Sequence, residues 1–331
     1  MAEEELIPGI TGLGIYLPER ILTNFDLERM VDTSDEWIRE RTGIRERRLA
    51  APEESTSDLA VNAAREALGA AGLLPEEIEL IIVATATPDM LFPATACLVQ
   101  ERLGAKRAAA FDLGAGCSGF VYGLATAAQF IRAGCYRNIL VIGAETLSKI
   151  TNWKDRNTCV LLGDGAGAAI LQPVEPPRGV LAVYLRADGS GGDLLKVPAG
   201  GSRLPTSIET VQAGLHYLTM NGREVFKFAV RAMEEAALEV LRRAGISQQE
   251  VGCFIPHQAN IRIIDALAKR LSLPPEKVVI NVDRYGNTSA ASIPIALYEA
   301  VSEGKIKRGE SLVVMVAFGA GLTWGALALQ Y

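Results

Sequence analysis

Two residues of this 331-residue chain stand where nucleophilic chemistry could be carried out. Cys117 follows an apolar run at 111–113 and a glycine-rich turn, and it precedes a segment predicted to be helical from about 118 to 132. A cysteine at a helix N-terminus lies near unpaired N–H groups and the positive end of the helix dipole, which favour the thiolate. The alternative is an inert, small apolar residue. His257, one of two histidines, ends a predicted strand, where α/β folds place ligands, although a lone histidine can also be structural.

An internal sequence repeat relates the positions of these residues to one another. The segment 71–83 and the segment 244–255 both follow a helical stretch and end in an apolar strand, at an offset of 173 from residue 71 to residue 244. On this repeat Asn287 takes, in the second half, the place that Cys117 has in the first. We therefore expect the two to converge with His257 between them, although an asparagine before Thr288 can also be a simple helix cap.

The repeat also predicts the fold. Each half is predicted to run helix, strand, helix, strand, and near-continuous apolar strands indicate sheets buried on both faces. We predict an α/β protein with five layers, α/β/α/β/α, and two mainly parallel sheets. The proline-rich stretch at 172–177 is the expected joint, so the halves are predicted at 1–175 and 176–331.

Composition excludes several classes of protein. The chain is 49% hydrophobic, 22% charged and carries a net charge of −6, which indicates a globular protein without the basic face of a nucleic-acid binder. Residues 1–5 are acidic and lack the plan of a signal peptide, and apolar runs such as 80–84 are too short to span a membrane. Five scattered cysteines without a CxxC pair make a disulfide framework or a zinc site unlikely. We expect a cytoplasmic protein.

Four segments carry a family resemblance over essentially the whole chain. They are GCSGF from 116, PHQANIRI from 256, GNTSAASIP from 286 and FGAGLTWG from 318. They resemble the β-ketoacyl-[acyl-carrier-protein] synthase III family, which implies the thiolase fold and a catalytic set of Cys117, His257 and Asn287. Gly116 departs from a common alanine and Ala320 from a usual glycine. The resemblance assigns the oxyanion hole to the backbone N–H groups of Cys117 and Ala320, and alanine keeps that N–H.

The implied reaction is a decarboxylative Claisen condensation that starts fatty-acid synthesis. Cys117 takes the acyl group of a short acyl-CoA, with acetyl-CoA expected, and malonyl-acyl carrier protein then loses CO₂ and attacks it. The products are 3-oxoacyl carrier protein, CO₂ and CoA. His257 and Asn287 are expected to stabilise the developing enolate as neutral donors, so no metal or cofactor is predicted.

The resemblance also implies binding residues. Trp37 resembles a residue that stacks on the CoA adenine, with Arg156 on its other face and Arg41 near the phosphates, although a tryptophan near a helix start can be plain core. Asn260 resembles a residue that lines the thioester pocket. Phe92, before a proline, resembles one that reaches across a homodimer to limit the acyl chain.

A basic face is expected beside the active site. Arg262 and Lys269 are seven residues apart on one predicted helix, with Arg270 adjacent and Lys227 as a further candidate. Such a run is usually just solvated, but here it would suit an acidic acyl carrier protein.

Three alternatives to this function differ in what they require of the sequence. A sister enzyme, such as a polyketide or quinolone starter synthase or a plain acyltransferase, would share every motif and differ in its pocket. A thioester hydrolase would need a base placed for water, and a silent scaffold would have lost the motifs. The segment at 163–168 is glycine-rich but precedes an apolar run, so we interpret it as a close-packed turn and not a dinucleotide loop. The segment 189–216 is expected to be a mobile loop near the mouth.

Overall fold

The structure is a computed structural model that describes residues 6–331, so the acidic start at 1–5 lies outside the described residues. The strands are β1 (Pro8–Tyr16), β2 (Arg20–Thr23), β3 (Glu46–Leu49), β4 (Leu80–Ala84), β5 (Ala109–Leu113), β6 (Ile139–Glu145), β7 (Gly165–Pro173), β8 (Gly179–Ala187), β9 (Leu195–Lys196), β10 (Thr219–Met220), β11 (Cys253–Pro256), β12 (Leu312–Gly319) and β13 (Thr323–Gln330). The helices are α1 (Asn24–Glu28), α2 (Asp35–Thr42), α3 (Thr56–Ala71), α4 (Thr95–Leu103), α5 (Gly119–Arg132), α6 (Ile208–Gln212), α7 (Gly222–Ala244), α8 (Ile261–Arg270), α9 (Val282–Tyr285) and α10 (Ser292–Ser302). Within residues 6–331, none of the helices has the length and apolar character needed to cross a membrane.

Two sheets organise the chain, and their strands run in mixed directions. The first sheet has the order β1-β7-β6-β4-β5 and the second the order β11-β12-β13-β8. Only β6 with β4, β4 with β5 and β11 with β12 are parallel pairs; the other pairs in these two sheets are antiparallel. The prediction of mainly parallel sheets is therefore wrong. β12 returns into β13 through a tight turn, and a parallel pair would have needed a crossover helix.

The predicted five layers are confirmed. Helix α3 packs on the outer face of the first sheet, and α7 packs on the outer face of the second. Helices α5 and α10 lie between the sheets, where Phe120, Leu124, Ile293 and Leu297 are at most 1% exposed. Burial of apolar side chains on both faces explains why these strands have no alternating polar pattern. All strands of the first sheet precede residue 175 and all of the second follow it.

The duplication is more regular than its sequence signal. The helix-ending glycines Gly72 and Gly245 both have φ 68° and ψ 29°, and the strands that follow them begin at 80 and 253. Strands β6 and β12 begin at 139 and 312, and short 3₁₀ turns lie at Gly116–Ser118 and Ser289–Ala291. Each of these pairs is offset by 173 residues.

This constant offset corrects one expectation about the site. The counterpart of Cys117 is Ala290, so Asn287 lies three residues before the place that the repeat assigned to it. The sequence repeat aligned Gly116 with Gly286, whereas the structure aligns the 3₁₀ turn at Gly116–Ser118 with the one at Ser289–Ala291.

The glycine-rich segment at 163–168 is mostly strand. β7 begins at Gly165, so the interpretation as a turn is wrong beyond Asp164. The close packing is real, because a Cβ at Gly163 would lie 2.2 Å from the carbonyl oxygen of Tyr285 and one at Gly167 would lie 2.7 Å from Pro294.

Candidate active site

An apolar cavity of about 300 Å³ opens where the two halves meet. Cys117, Asn287 and Ala320 are in its wall, together with Gly116 and Ser289. The rest of the lining is Ala86, Leu147, Ile150, Thr158, Leu161, Leu162, Leu195, Lys196, Val197, Leu218 and Met220. Two of the three predicted catalytic residues therefore face one chamber that could hold an acyl chain.

Cys117 lies on the 3₁₀ turn between β5 and α5, which begins two residues later. The turn requires φ +50° at Gly116, a left-handed conformation that glycine adopts without steric cost. Burial raises the pKa of the Cys117 thiol to about 12, a hydrogen bond from Ser289 opposes this shift, and the nearby Glu145 carboxylate adds to it. Desolvation of the sulfur therefore opposes the thiolate that the helix terminus favours.

Asn287 is fixed by its backbone and by its amide oxygen. Its N–H donates to the carbonyl of Leu161 over 2.8 Å, and its carbonyl accepts from the N–H of Gly163 over 3.0 Å. The side-chain Oδ1 accepts from the N–H of Ser289 over 2.8 Å. With Oδ1 engaged in this way, the Nδ2 group is the part of the amide that can serve a substrate as a donor.

His257 extends strand β11, and its N–H donates to Val316 over 2.8 Å. The imidazole is 3% exposed, and burial lowers its pKa to about 4, so it is neutral at physiological pH. Nδ1 lies 2.6 Å from Oγ of Ser292, whose oxygen also accepts from the N–H of Gln258 over 3.4 Å. When the Ser292 hydroxyl donates to Nδ1, the ring proton lies on Nε2.

His257 does not belong to the cavity lining. It is linked to the chamber through Ser292, the first residue of α10, which directly follows the Ser289–Ala291 turn. His257 is thus attached to the end of the turn that carries Ser289, a residue of the chamber wall.

The N–H groups of Cys117 and Ala320 lie on two chain segments in close contact. A Cβ at Gly319 would be only 2.5 Å from the backbone nitrogen of Cys117, and one at Gly116 would be 2.8 Å from that of Ala320. Neither N–H donates in the backbone hydrogen bonds of residues 6–331. Both are therefore available to an oxyanion.

Sequence reasoning missed three polar residues behind the nucleophile. Ser289 holds the Asn287 side chain through its N–H, and Ser292 holds His257. Glu145 is fully buried and accepts from the Thr87 hydroxyl over 2.7 Å and from the N–H groups of Ala86 and Ala290; burial raises its pKa. A carboxylate at the end of the otherwise apolar strand β6 was the available signal.

Comparison with known proteins agrees with this site. The family models described as 3-oxoacyl-[acyl-carrier-protein (ACP)] synthase III and its C-terminal part match residues 111–189 and 241–331. The β-ketoacyl-[acyl-carrier-protein] synthase III of Symbiobacterium thermophilum is 64% identical over 323 residues, which is 98% of each chain. The chain belongs to this synthase III family. It is an acyltransferase of the condensing-enzyme type, as predicted.

Solved structures support the predicted thiolase fold. The crystal structure of 3-oxoacyl-[acyl-carrier-protein] synthase III from Aquifex aeolicus is 54% identical and matches with a TM-score of 0.90 over 98% of this chain and 100% of that one. The priming β-ketosynthase of the R1128 polyketide pathway is 36% identical and matches with a TM-score of 0.91 over 99% and 97%.

The residues expected to hold CoA form one cluster in this synthase III chain. Trp37 is half-buried on α2, and its ring lies 4.6 Å from the Arg156 guanidinium and 5.6 Å from that of Arg41. Asp32 pairs with Arg156 over 3.4 Å. Cation–π contacts of this kind hold the two arginines ready beside the ring.

Asn260 and Phe92 both lie outside the chamber of a single chain. Asn260 caps α8, with Oδ1 accepting from Arg262 N–H over 2.8 Å and Nδ2 donating to the Arg41 carbonyl over 3.0 Å, and it is not in the cavity lining. Phe92 is 83% exposed on the loop after β4, and the neighbouring Leu91 is 79% exposed. Neither contributes to the chamber of a single chain.

The four basic residues lie exposed on α7 and α8, which pack together. Lys227 pairs with Glu224 over 2.9 Å, and Arg270 pairs with Glu234. Among the described residues, Arg262 and Lys269 have no such carboxylate partner, and Arg262 lies 5.8 Å from the ring of Phe226. Of the four basic residues, Arg262 and Lys269 are therefore the two without an ion pair.

Proposed function

We propose that this chain condenses a short acyl-CoA, acetyl-CoA in the first instance, with malonyl-acyl carrier protein to give 3-oxoacyl carrier protein, CO₂ and CoA. The observation that carries the proposal is that Cys117, Asn287 and Ala320 line one apolar chamber. Neutral His257 is held next to this chamber by Ser292. A nucleophile, an oxyanion site and neutral donors are the parts that this reaction needs.

The first half-reaction transfers the acyl group. The Cys117 sulfur attacks the thioester carbonyl and loses its proton as the new C–S bond forms, since the resting thiol is neutral. The N–H groups of Cys117 and Ala320 hold the oxyanion. The bond from the carbonyl to the CoA sulfur then breaks, the CoA sulfur takes up the proton that Cys117 has lost, CoA leaves as the thiol, and acyl-Cys117 remains.

The second half-reaction makes the carbon–carbon bond. The malonyl carboxylate leaves as CO₂, and the electron pair of the broken bond moves into an enolate. Nε2–H of His257 and Nδ2–H of Asn287 stabilise the enolate oxygen, and neutral donors suffice, so the proposal includes no metal or cofactor. The enolate carbon attacks the carbonyl of acyl-Cys117, and the bond from that carbonyl to the Cys117 sulfur breaks. The released sulfur takes up a proton, which regenerates the enzyme.

Two neighbouring groups of residues would receive the two substrates. The adenine of CoA would stack on Trp37, and the Arg156 guanidinium, now 4.6 Å from that ring, would have to move to cover the other face of the adenine, with Arg41 close to the phosphates. Arg262 and Lys269 would receive the acidic carrier protein, with Lys227 and Arg270 as weaker contributors because carboxylates already neutralise them.

We further propose a cytoplasmic homodimer. Strand β5 is the edge of the first sheet and is only partly covered, although it carries Phe111 and Leu113. A second copy that covers this edge would also bury Leu91 and Phe92 and bring Phe92 towards its partner's chamber. The free state of all five cysteines fits a reducing compartment.

The test of the condensation is intact-protein mass spectrometry. The protein is mixed with equal amounts of several short acyl-CoAs and then chased with malonyl-acyl carrier protein, with Cys117→Ser as the control. We expect an adduct on Cys117 that the chase removes as 3-oxoacyl carrier protein, and the preferred adduct identifies the primer. An adduct that survives the chase would favour a priming role of the polyketide type, and no adduct would overturn the proposal.

A further inference from the structure

Arg47 is a fully buried cation on strand β3 that no step of the proposed reaction uses. Within the part of the chain that the structure describes, its guanidinium bonds to three neutral oxygens and to no carboxylate. Burial lowers its pKa to about 10. A buried charge destabilises a fold unless its hydrogen-bond partners are in place, so we expect the three acceptors around this guanidinium to be held tightly.

One of these oxygens belongs to the chain segment that holds Asn287. Nη2 of Arg47 donates to the carbonyl of Val160 over 2.7 Å. The next residue, Leu161, accepts from the Asn287 N–H over 2.8 Å, and Gly163 donates to the Asn287 carbonyl over 3.0 Å. The bond to Val160 therefore fixes the segment to which both backbone polar groups of Asn287 are attached.

The aliphatic stem of Arg47 lies against the same pairing. A Cβ built at Gly163, which bonds to Asn287, would lie 3.1 Å from the Arg47 Cβ. One built at Gly286, which precedes Asn287, would lie 3.4 Å from it and 2.7 Å from the carbonyl oxygen of Leu161. Because no side chain intervenes at either glycine, the Arg47 stem supports both chain segments directly.

The other side of the guanidinium is anchored elsewhere in the fold. Nη1 donates to the Leu22 carbonyl over 3.2 Å and to Oδ1 of Asn24 over 2.9 Å. Nδ2 of Asn24 in turn donates to the Ile44 carbonyl over 2.7 Å and to Asp35, the first residue of α2, over 2.9 Å. The guanidinium therefore cannot follow the Val160 segment if that segment moves, and it acts as a fixed point for it.

We propose that Arg47 is a positioning residue for Asn287: its guanidinium fixes the carbonyl of Val160 and thereby aims the Asn287 amide at the enolate oxygen. The inference rests on the proposed role of Asn287 in the second half-reaction. Acylation of Cys117 uses no group of Asn287, so a displaced amide should slow the release of CO₂ and leave the first half-reaction nearly intact.

The experiment compares the two half-reactions in Arg47→Lys and Arg47→Met. Lysine keeps the charge and most of the stem, but its single ammonium cannot bond to the acceptors on both sides, and methionine removes the donors altogether. Displacing a catalytic group by about 1 Å can cost about 10² in rate, so we expect CO₂ release from malonyl-acyl carrier protein to fall at least about tenfold in either variant. Adduct formation on Cys117, measured on the same preparation, should stay within about threefold of the parent.

A double-mutant cycle separates positioning from general stability. In an Asn287→Ala background the amide is absent, so adding Arg47→Lys should lower CO₂ release by no more than about twofold. Arg48→Lys is the matched control, because Arg48 is the next residue on β3 and its Nη1 donates to the carbonyl of Pro18 over 3.3 Å and not to the segment beside Asn287. We expect it to behave like the parent in both half-reactions.

The results distinguish a positioning role from a structural one. Equal losses in both half-reactions, no loss of CO₂ release, or the same loss with and without the Asn287 amide would overturn the positioning role while the proposed function stands. A parent that forms no adduct or releases no CO₂ would overturn both. If Arg47→Met does not fold, Arg47→Lys, which retains the charge, is the test, and a failure of both variants to fold would show that Arg47 serves only the fold and would contradict the proposal.

Discussion

The hydrogen bond between Ser292 and His257 offers a sharp test of the second half-reaction. Ser292→Ala removes the side chain that is bonded to Nδ1 inside a buried site. The ring would then no longer be held with its proton on Nε2, the atom that has to donate to the enolate. A buried hydrogen bond of this kind contributes about 1–2 kcal/mol, and 1.4 kcal/mol corresponds to about tenfold in rate.

We therefore expect Ser292→Ala to slow CO₂ release from malonyl-acyl carrier protein by about tenfold. Acylation of Cys117 should stay within about twofold, since no step of it uses Nε2–H. CO₂ release and adduct formation are measured on the same preparation, with Ser302→Ala on the exposed end of the same helix as the control. Equal losses in both half-reactions would refute the reasoning, because they would mean that Ser292 only supports the fold.

Three further outcomes follow from the site. Asn287→Ala should acylate normally but lose about 10²-fold or more in decarboxylation, measured as CO₂ release; loss of acylation would count against its role. Arg262→Glu should raise KM for malonyl-acyl carrier protein several-fold in a salt-dependent way and leave KM for acyl-CoA unchanged. Arg270→Glu should have a smaller effect, because Arg270 is already paired with Glu234. Equal effects on both substrates would contradict the docking role. Because the pKa of Cys117 is raised to about 12, its alkylation by iodoacetamide, followed by peptide mass mapping, should rise about tenfold per pH unit from 7 to 10. A plateau near pH 8 would show instead that the thiolate is stabilised.

The fold could be predicted because its signals are local and repeated. Apolar strands at 80–84 and 312–317 and the helix after Cys117 lie almost where their patterns placed them. Strand direction was not available from the same patterns, since a strand buried on both faces has the same apolar composition whether its neighbour is parallel or antiparallel. The tight turn at 320–322, which forces β13 to return antiparallel, was recognised only as part of a motif.

The sequence predicted the reacting groups of the site, but it did not predict their burial or their hydrogen-bond partners. Cys117 and Asn287 meet in one chamber, but the sign of the thiol pKa shift depends on burial, which no sequence pattern at 114–120 reports. Asn260 illustrates the opposite case. A motif implied a pocket residue, whereas the local geometry uses both of its polar atoms to cap α8 and to tie it to Arg41.

The two copies of the 3₁₀ turn, one in each half of the chain, have different roles in the site. Gly116 and Ser289 are counterparts and have nearly the same conformation, φ +50° and φ +47°. In the first half the turn presents Cys117 to the chamber. In the second half the equivalent position is Ala290, which has no reactive group, and its N–H bonds to Glu145. The left-handed residue before it, Ser289, instead directs its N–H to the Asn287 amide. Ser289 keeps this left-handed conformation although it is not a glycine, and its N–H fixes the Asn287 side chain, so the second turn supports the chemistry that the first turn presents.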